Sequence, residues 1–338
     1  MKTVQIFTLA QNSNGVSIIV KHLRDAFFKS GLETEIIHDL ARLSSESLII
    51  PYGIKETYLL LKNHHAVKYS FFADAESAGY FNKIKFYIKN GIWGHGDLLY
   101  SIKAYIKLRL AEQYILPRVE NCILVSQKDI EYYKKISPNT NYIFLPNGVS
   151  SQPNIEKTKS YTLRLGLLSG WEQVGRVAEN EWFVRKYYQR AKDSGLDLSL
   201  TIAGRGQFIE MFRKYKNVEI LGEVDNLNTF FSNIDVLVLP TPKGCGILNK
   251  ALDAFARKTL VIGVPAAFSG LQMFQGSYFE FMNYNGFIDV LKNIQKHPET
   301  VCEMVETADQ IVRDQCDWDS IYSRFVQSII SQESQLII

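Results

Sequence analysis

An apolar run, a two-glycine turn and a helix follow one another in the second half of this 338-residue chain. The run covers 234–240, the turn contains Gly244 and Gly246, and the helix carries Lys250 and Asp253. Uninterrupted apolar runs are typical of strands covered on both faces in parallel sheets. Ligands of such sheets bind at the carboxyl ends of the strands. The order therefore predicts an α/β sheet with an anion near the helix start, where N–H groups and the helix dipole favour negative charge.

Strand-like and helical runs alternate along both halves of the chain. In the first half we predict strands at 4–10, 33–38, 121–126 and 142–145 and helices at 16–30 and 127–137. In the second half we predict strands at 163–168, 198–203, 218–221, 234–239 and 259–264 and helices at 181–191 and 249–256. The polar run 150–160 has the composition of a linker. This pattern predicts two α/β units with parallel sheets, 1–150 and 151–338.

Composition excludes several classes of protein. A hydrophobic content of 46% with 22% charged residues is ordinary for a globular chain and excludes disordered and fibrous classes. The four cysteines are scattered without metal-ligand spacing, so we expect reduced thiols, a cytoplasmic protein and no structural metal. The apolar run 4–10 is too short for a signal peptide or a membrane span.

Positive charge is concentrated in the first half of the chain. Residues 1–150 hold 18 Lys and Arg against 13 Asp and Glu, whereas 151–338 hold 20 against 22. Within 82–110, cations interleave with aromatic residues and face a single acidic residue, Asp97. Such a segment suits an anionic membrane surface, such as the inner face of the plasma membrane, and the alternative is a solvated helix face. The half is not basic enough to favour nucleic acid.

Seven segments in a fixed order resemble one enzyme family. They are the opening strand with Asn14-Gly15, then 125–129, Pro146-Asn147-Gly148-Val149, 202–206, Leu221-Gly222, the loop and helix 244–256, and Trp318. Together they resemble the GT-B glycosyltransferases, especially the family-4-like, or group 1, nucleotide-sugar transferases of bacterial surface polysaccharide assembly. The resemblance covers nearly the whole chain.

The resemblance implies a fold and a reaction. Two Rossmann-like domains would face a cleft, the second holding the nucleotide, and the helix 317–330 would cross back onto the first domain. The donor would be UDP-linked or GDP-linked, and the acceptor a glycan or a lipid-linked glycan on the side of 1–150. Retention at the anomeric carbon is implied by the resemblance alone. No cofactor and no metal are expected, since no metal-binding Asp-x-Asp motif is evident outside the implied carboxyl-terminal helix 317–330.

The chain departs from the best-known family pattern of two glutamates separated by seven residues. Asp253 matches the second glutamate, but 243–245 contains no match to the first. A sub-pattern of two glycines, Asn and Lys before the carboxylate fits Gly244, Gly246, Asn249, Lys250 and Asp253 better. The family's usual Arg and Lys pair after the first strand of the second domain is also irregular, because 169–172 intervenes before Arg176.

Without a metal, the charge of a leaving diphosphate must be met by amides and cations, for which we nominate Gly244, Gly246, Lys250 and Arg205. Lys250 could instead be a surface lysine, and Asp253 could form a salt bridge rather than bind ribose. The remaining candidates for the donor side are Asn14, Gly15, Ser169, Gly170, Gly204, Cys245 and Asn249. Cys245 lacks the partnered base that a nucleophile needs.

A base for the acceptor hydroxyl is sought in the first half. Asp74 and Glu76 follow the apolar run 71–73 and would reach the ligand edge of its sheet. In an extended segment the two side chains would point the same way, and repulsion could raise one pKa. A solvated loop is the alternative.

Two other functions fit the same architecture. One is a nucleotide-sugar 2-epimerase, which needs more acid and base groups around the sugar than the sequence offers. The other is a catalytically inactive partner that retains nucleotide affinity, which the missing first glutamate supports. A dinucleotide oxidoreductase is disfavoured, since no GxGxxG follows Leu9.

Overall fold

The computed structural model describes residues 3–10, 15–91, 97–150, 155, 162–172 and 174–335. Within these ranges the chain is an α/β protein in which every strand pairing is parallel. Parallel strands need crossover connections, which the intervening helices supply.

The first unit contains two three-stranded sheets of orders β2-β1-β3 and β4-β5-β6. Its strands are β1 Thr3–Phe7, β2 Glu33–Ile37, β3 Leu48–Pro51, β4 Tyr69–Ala73, β5 Asn121–Leu124 and β6 Asn141–Phe144. Its helices are α1 Gly15–Lys29, α2 Ile54–Lys62, α3 Glu76–Asn90, α4 Asp97–Ile115 and α5 Gln127–Lys134. An isolated parallel bridge between Tyr52 and Phe71 joins the two sheets, so they act as one broken layer.

The second unit contains one six-stranded sheet of order β12-β11-β10-β7-β8-β9. Its strands are β7 Leu163–Leu168, β8 Leu198–Ala203, β9 Val218–Gly222, β10 Val236–Leu239, β11 Leu260–Gly263 and β12 Tyr278–Glu280. Its helices are α6 Val174–Phe183, α7 Gln189–Asp193, α8 Leu227–Ser232, α9 Asn249–Phe255, α10 Tyr284–Lys296, α11 Pro298–Gln315 and α12 Trp318–Gln335, with a π-helical turn at Val184–Tyr188.

The strand order of the second sheet fixes where a ligand can bind. The chain runs outward from β7 to β9, returns to β10 on the other side of β7, and continues outward to β12. The order therefore reverses between β7 and β10. Their carboxyl ends form the crevice in which open α/β sheets bind ligands. All four residues of β10 are buried, which explains its unbroken apolar sequence.

The last helix lies against the first unit. Trp318 stacks on His22 of α1 with ring centroids 4.5 Å apart, and Asp319 pairs with Lys29 at 2.7 Å. Gly148 lies so close to Trp318 that an added Cβ would be 2.6 Å from its ring. No larger residue fits at 148 without movement of the indole, so this crossing point requires glycine.

The predicted strands coincide with observed ones to within a few residues, with β7 and β8 matching at both ends. The helix predicted from residue 181 begins earlier, at Val174. The elements β3, α2, α3, α4, β12, α10 and α11 were not predicted as such. Most of the linker 150–160 lies outside the described residues.

Candidate functional site

Lys250 spans the crevice of the second sheet. It lies on α9, which follows the loop after β10, and its Nζ donates to the Leu168 carbonyl oxygen at the end of β7, at 2.8 Å. Burial and the nearby positive charge of Arg176 lower the pKa of Lys250 to about 8. The side chain therefore carries a cation at the topological switch point, where an anionic ligand can offset the cost of its burial.

Arg176 supplies a second cation at the same edge. It lies exposed in the first turns of α6, and its guanidinium would be 3.7 Å from a Cβ added to Gly170. Because it acts electrostatically on Lys250, the two cations face one region. Sequence reasoning noted this arginine only as part of an irregular pair and did not place it in the site.

The two-glycine turn is covered by the first unit. Gly244 and Gly246 have φ of +63° and +58°. A Cβ on Gly246 would lie 1.7 Å from Asp74 Oδ1, and one on Gly244 would lie 2.1 Å from Asn82 Nδ2. Glycine is therefore required at both positions by backbone conformation and by the approach of the other unit.

The N–H groups of this turn already have acceptors in the protein. Gly244 donates to the Ala266 carbonyl at 2.9 Å, and Gly246 donates to Asp129 Oδ2 at 2.7 Å. A diphosphate could use these two donors only if both bonds broke. Their assignment to the leaving group stays a prediction that this arrangement does not favour.

Two other predicted donor-side residues have protein partners, and a third, Cys245, is buried. Asn249 Oδ1 accepts from Asn147 Nδ2 at 2.7 Å, a bond between the two units. Asp253 pairs with Arg257 at 3.1 Å, which is the salt bridge left open as its alternative role. Burial raises the pKa of the Cys245 thiol, so it lacks the thiolate that a nucleophile requires.

Of the remaining predicted residues, those of the second unit lie near the ends of β7 and β8, and the other two belong to the first unit. Arg205 forms an ion pair with Glu172 at 2.9 Å in which both side chains are about half exposed. Gly204 packs on the Ser169 backbone, where a Cβ would lie 1.8 Å from the carbonyl oxygen. Asn14 lies outside the described residues, and Gly15 is the first residue of α1.

The facing edge of the first unit is acidic. Its strand β4 ends at Ala73, and α3 begins at Glu76. The expectation that Asp74 and Glu76 lie on one extended segment is therefore wrong, because the second carboxylate belongs to a helix. Asp74 pairs with Lys243 of the second unit at 2.6 Å. Burial, followed by repulsion from Asp74, raises the pKa of Glu76 to about 7.

Glu112 packs beneath this acidic edge and was not predicted as a site residue. It is fully buried on α4 and accepts from the Ser77 N–H at 3.0 Å, from the Ser77 hydroxyl and from the Tyr133 hydroxyl at 2.9 Å. These bonds fix the first turn of α3 and so position Glu76. The only signal in the sequence was a single glutamate on a helix whose other charged residues after Asp97 are cations.

The sheet edges of the two units therefore place cations of the second unit opposite carboxylates of the first. Within the ranges described, no cluster of His, Cys, Asp or Glu side chains has an arrangement suited to a metal ion. Among the described helices, none combines the length and apolarity needed to span a bilayer.

Comparison with known proteins agrees with this geometry. A family model described as Glycosyl transferases group 1 matches residues 173–275, which begin just after β7 and run through α6, β10, the glycine turn and α9 to β11. Residues 173–275 therefore match a group 1 glycosyltransferase domain. This match indicates an enzyme of the transferase class, and we call the protein the transferase below. No curated protein matches its sequence.

Solved structures share the fold of the transferase at low sequence identity. Sucrose-phosphate synthase from Thermosynechococcus elongatus aligns with a TM-score of 0.72 at 13% identity, covering 99% of this chain and 100% of that one. Anabaena Alr3699/HepE in complex with UDP aligns at 0.65 and 11%, covering 98% and 100%. WaaG, a glycosyltransferase involved in lipopolysaccharide biosynthesis, aligns at 0.60 and 13%, covering 96% and 99%. The transferase thus has the GT-B fold.

Proposed function

We propose that the transferase moves a sugar from a UDP-linked or GDP-linked donor to a glycan or lipid-linked glycan of a surface polysaccharide. The observation that carries this proposal is the pair of cations, Lys250 and Arg176, at the topological switch point of the second sheet. The structure of the similar HepE protein in complex with UDP-glucose supports a nucleotide sugar as the donor class.

The proposed reaction breaks the bond between the anomeric carbon and the diphosphate oxygen and forms one to the acceptor oxygen. Lys250 and Arg176 stabilise the charge that develops on the leaving diphosphate, in place of a metal ion. Glu76 receives the proton of the acceptor hydroxyl, and Asp74, which is paired with Lys243, is the second candidate. A carboxylate whose pKa is about 7 suits this task, because it is both ionised and basic near neutral pH. Retention of configuration is part of the proposal, and it requires the acceptor oxygen to attack on the face from which the diphosphate leaves.

Nucleotide binding tests the cation pair. We expect Lys250→Ala to weaken UDP or GDP binding about 10-fold or more in calorimetry, because a hydrogen bond to a charged group contributes about 1.5–3 kcal/mol. Lys292→Ala, an exposed lysine on α10, is the control and should bind normally. Unchanged affinity in both Lys250→Ala and Arg176→Ala would contradict the site.

Incubation with the donor separates the competing functions. Slow release of nucleoside diphosphate supports transfer, interconversion of the sugar supports a 2-epimerase, and binding without turnover supports an inactive partner. The observation that favours the last is the absence of a carboxylate at 243–245.

We further propose that the acceptor lies at an anionic membrane surface that α4 contacts. This helix exposes Leu99, Tyr100, Ile106 and Leu110 by 52–63%, whereas it buries the polar residues Ser101 and Glu112. Exposed lysines at 103 and 107 share the helix. An apolar face beside cations matches the interfacial region of a bilayer with acidic lipids. A solvated helix face is the alternative.

Sedimentation with vesicles tests this surface. We expect binding to vesicles that contain phosphatidylglycerol and loss of most of it in the double variant Lys103→Glu and Lys107→Glu, since each basic residue contributes about 1 kcal/mol. Lys292→Glu with Lys296→Glu has the same spacing on an exposed helix of the second unit and is the matched control. Equal binding by both double variants would reject the surface.

A further inference from the structure

The first unit contacts the glycine turn of the second unit, which contains Gly244 and Gly246, through three polar interactions. Asp74 pairs with Lys243, Asn82 Nδ2 donates to the Gly244 carbonyl at 3.2 Å, and Asp129 accepts the Gly246 N–H at 2.7 Å. Gly79 adds a close apolar contact with Cys245. The turn therefore fills a socket built from β4, α3 and α5.

Asp129 is the most buried of these contacts. Its side chain belongs to the first turn of α5 and is 2% exposed. It accepts the Gly246 N–H of the second unit at 2.7 Å. Burial raises the pKa of Asp129 to about 7, and the backbone groups of Gly246 and of Ala75 in the first unit oppose that rise. A buried carboxylate is expensive to leave without a donor, so separating the units at this point is unfavourable.

The contact lies between the two halves of the proposed chemistry. The Gly246 turn leads directly into α9 and Lys250, and Ala75 immediately precedes Glu76 at the start of α3. One carboxylate thus joins the backbone that carries the donor-site cation to the backbone that carries the candidate base. Its loss would let the two edges separate without removing either chemical group.

We infer that Asp129 is a positioning residue, whose carboxylate holds the two units closed over the donor site by accepting the N–H of Gly246. Its kinetic test rests on the proposed transfer, whereas its structural test does not. The simpler role for this residue is to stabilise the start of α5 within the first unit alone.

Binding and turnover separate the two roles. Because Lys250 and Arg176 both belong to the second unit, Asp129→Ala should leave the affinity for UDP or GDP within about 3-fold of wild type. Release of nucleoside diphosphate from the donor should fall about 10-fold or more at saturation, the factor expected for a hydrogen bond to a charged group. Asp129→Asn keeps one acceptor oxygen and should retain part of the rate. Glu131→Ala, exposed on the same helix, is the control.

A disulfide reports the closed contact without reference to activity. A Cβ built on Gly79 lies 4.0 Å from the Cys245 Cβ, and disulfides join β-carbons about 3.5–4.5 Å apart. Gly79→Cys should therefore crosslink to Cys245 under mild oxidation, which changes mobility in a non-reducing gel. Adding Asp129→Ala should slow this crosslink at least about 3-fold, whereas adding Glu131→Ala should not. Gly79→Cys with Cys245→Ser is the negative control.

The outcomes distinguish failure of the inference from failure of the proposed function. Equal crosslinking rates with and without the Asp129→Ala substitution would overturn the inference, whatever the enzyme does with a donor. Slowed crosslinking with no binding of either nucleotide to wild type would support the contact and reject the proposed function. A loss of nucleotide affinity in Asp129→Ala equal to its loss of rate would also overturn the positioning role, since the site itself would then be damaged.

Discussion

The two sheet edges that face each other differ in both architecture and charge. The second unit offers a regular six-stranded sheet whose switch point carries Lys250 and Arg176. The first offers a sheet broken between β3 and β4, whose edge carries Asp74, Glu76 and Asp129. Burial shifts the pKa values of both edges toward neutrality, downward to about 8 for Lys250 and upward to about 7 for Glu76.

This difference assigns different parts of the reaction to different units. The cationic edge can stabilise a leaving anion, and the acidic edge can accept a proton but repels a diphosphate. Neither unit is sufficient alone. The polar contacts at the glycine turn therefore matter to catalysis because they set the distance between two complementary groups.

Loss of the base should have the largest effect, and it tests whether the acidic edge of the first unit supplies that base. Glu76→Gln keeps the shape of the side chain and removes its ability to accept a proton. We expect the transfer rate to fall about 10²–10⁴-fold, the usual contribution of a positioned base. Nucleotide affinity in calorimetry should stay within about 2-fold, since the cations lie on the other unit. Glu120→Gln, an exposed residue of the first unit, should leave both quantities unchanged.

The dependence of the wild-type transfer rate on pH gives a second test of the base. Because the base must be ionised, the rate should rise with pH through about 7 and fall as pH drops below it. That acidic limb should disappear from the residual rate of Glu76→Gln. A limb that persists in this variant would assign it to another group, such as Asp129, whose pKa burial also raises to about 7, and would withdraw this support for Glu76.

Local pattern in the sequence predicted the second unit well. The strand β10 is an uninterrupted apolar run because both of its faces are buried. Lys250 could be nominated because it lies on the helix that directly follows the glycine turn. The strand β3 is also apolar and mostly buried, but its run is shorter and ends in Pro51. A long buried run leaves a clear signal in the sequence, whereas four residues at the edge of a broken sheet leave little.

Contacts between distant segments could not be predicted in this way. Arg176 reaches the region of Lys250 only because β10 lies beside β7, a consequence of strand order. Asp129 belongs to the segment 125–129, which contributes to the family resemblance, yet its contact with Gly246 joins the two units. The sequence predicts that Gly244 and Gly246 meet a diphosphate, and the structure instead packs side chains of the first unit against them.

The smallest expected effect concerns Arg205, which the sequence nominated together with Lys250. In the structure its charge is paired with Glu172 and about half exposed, at the end of β8 rather than between β7 and β10. An exposed ion pair contributes only about 0–1 kcal/mol, so Arg205→Ala should change nucleotide affinity less than about 5-fold. Calorimetry beside Lys250→Ala checks this directly. If Arg205→Ala instead weakened binding as much as Lys250→Ala, the anion site would extend across β8, and the confinement of the cations to the switch point would be refuted.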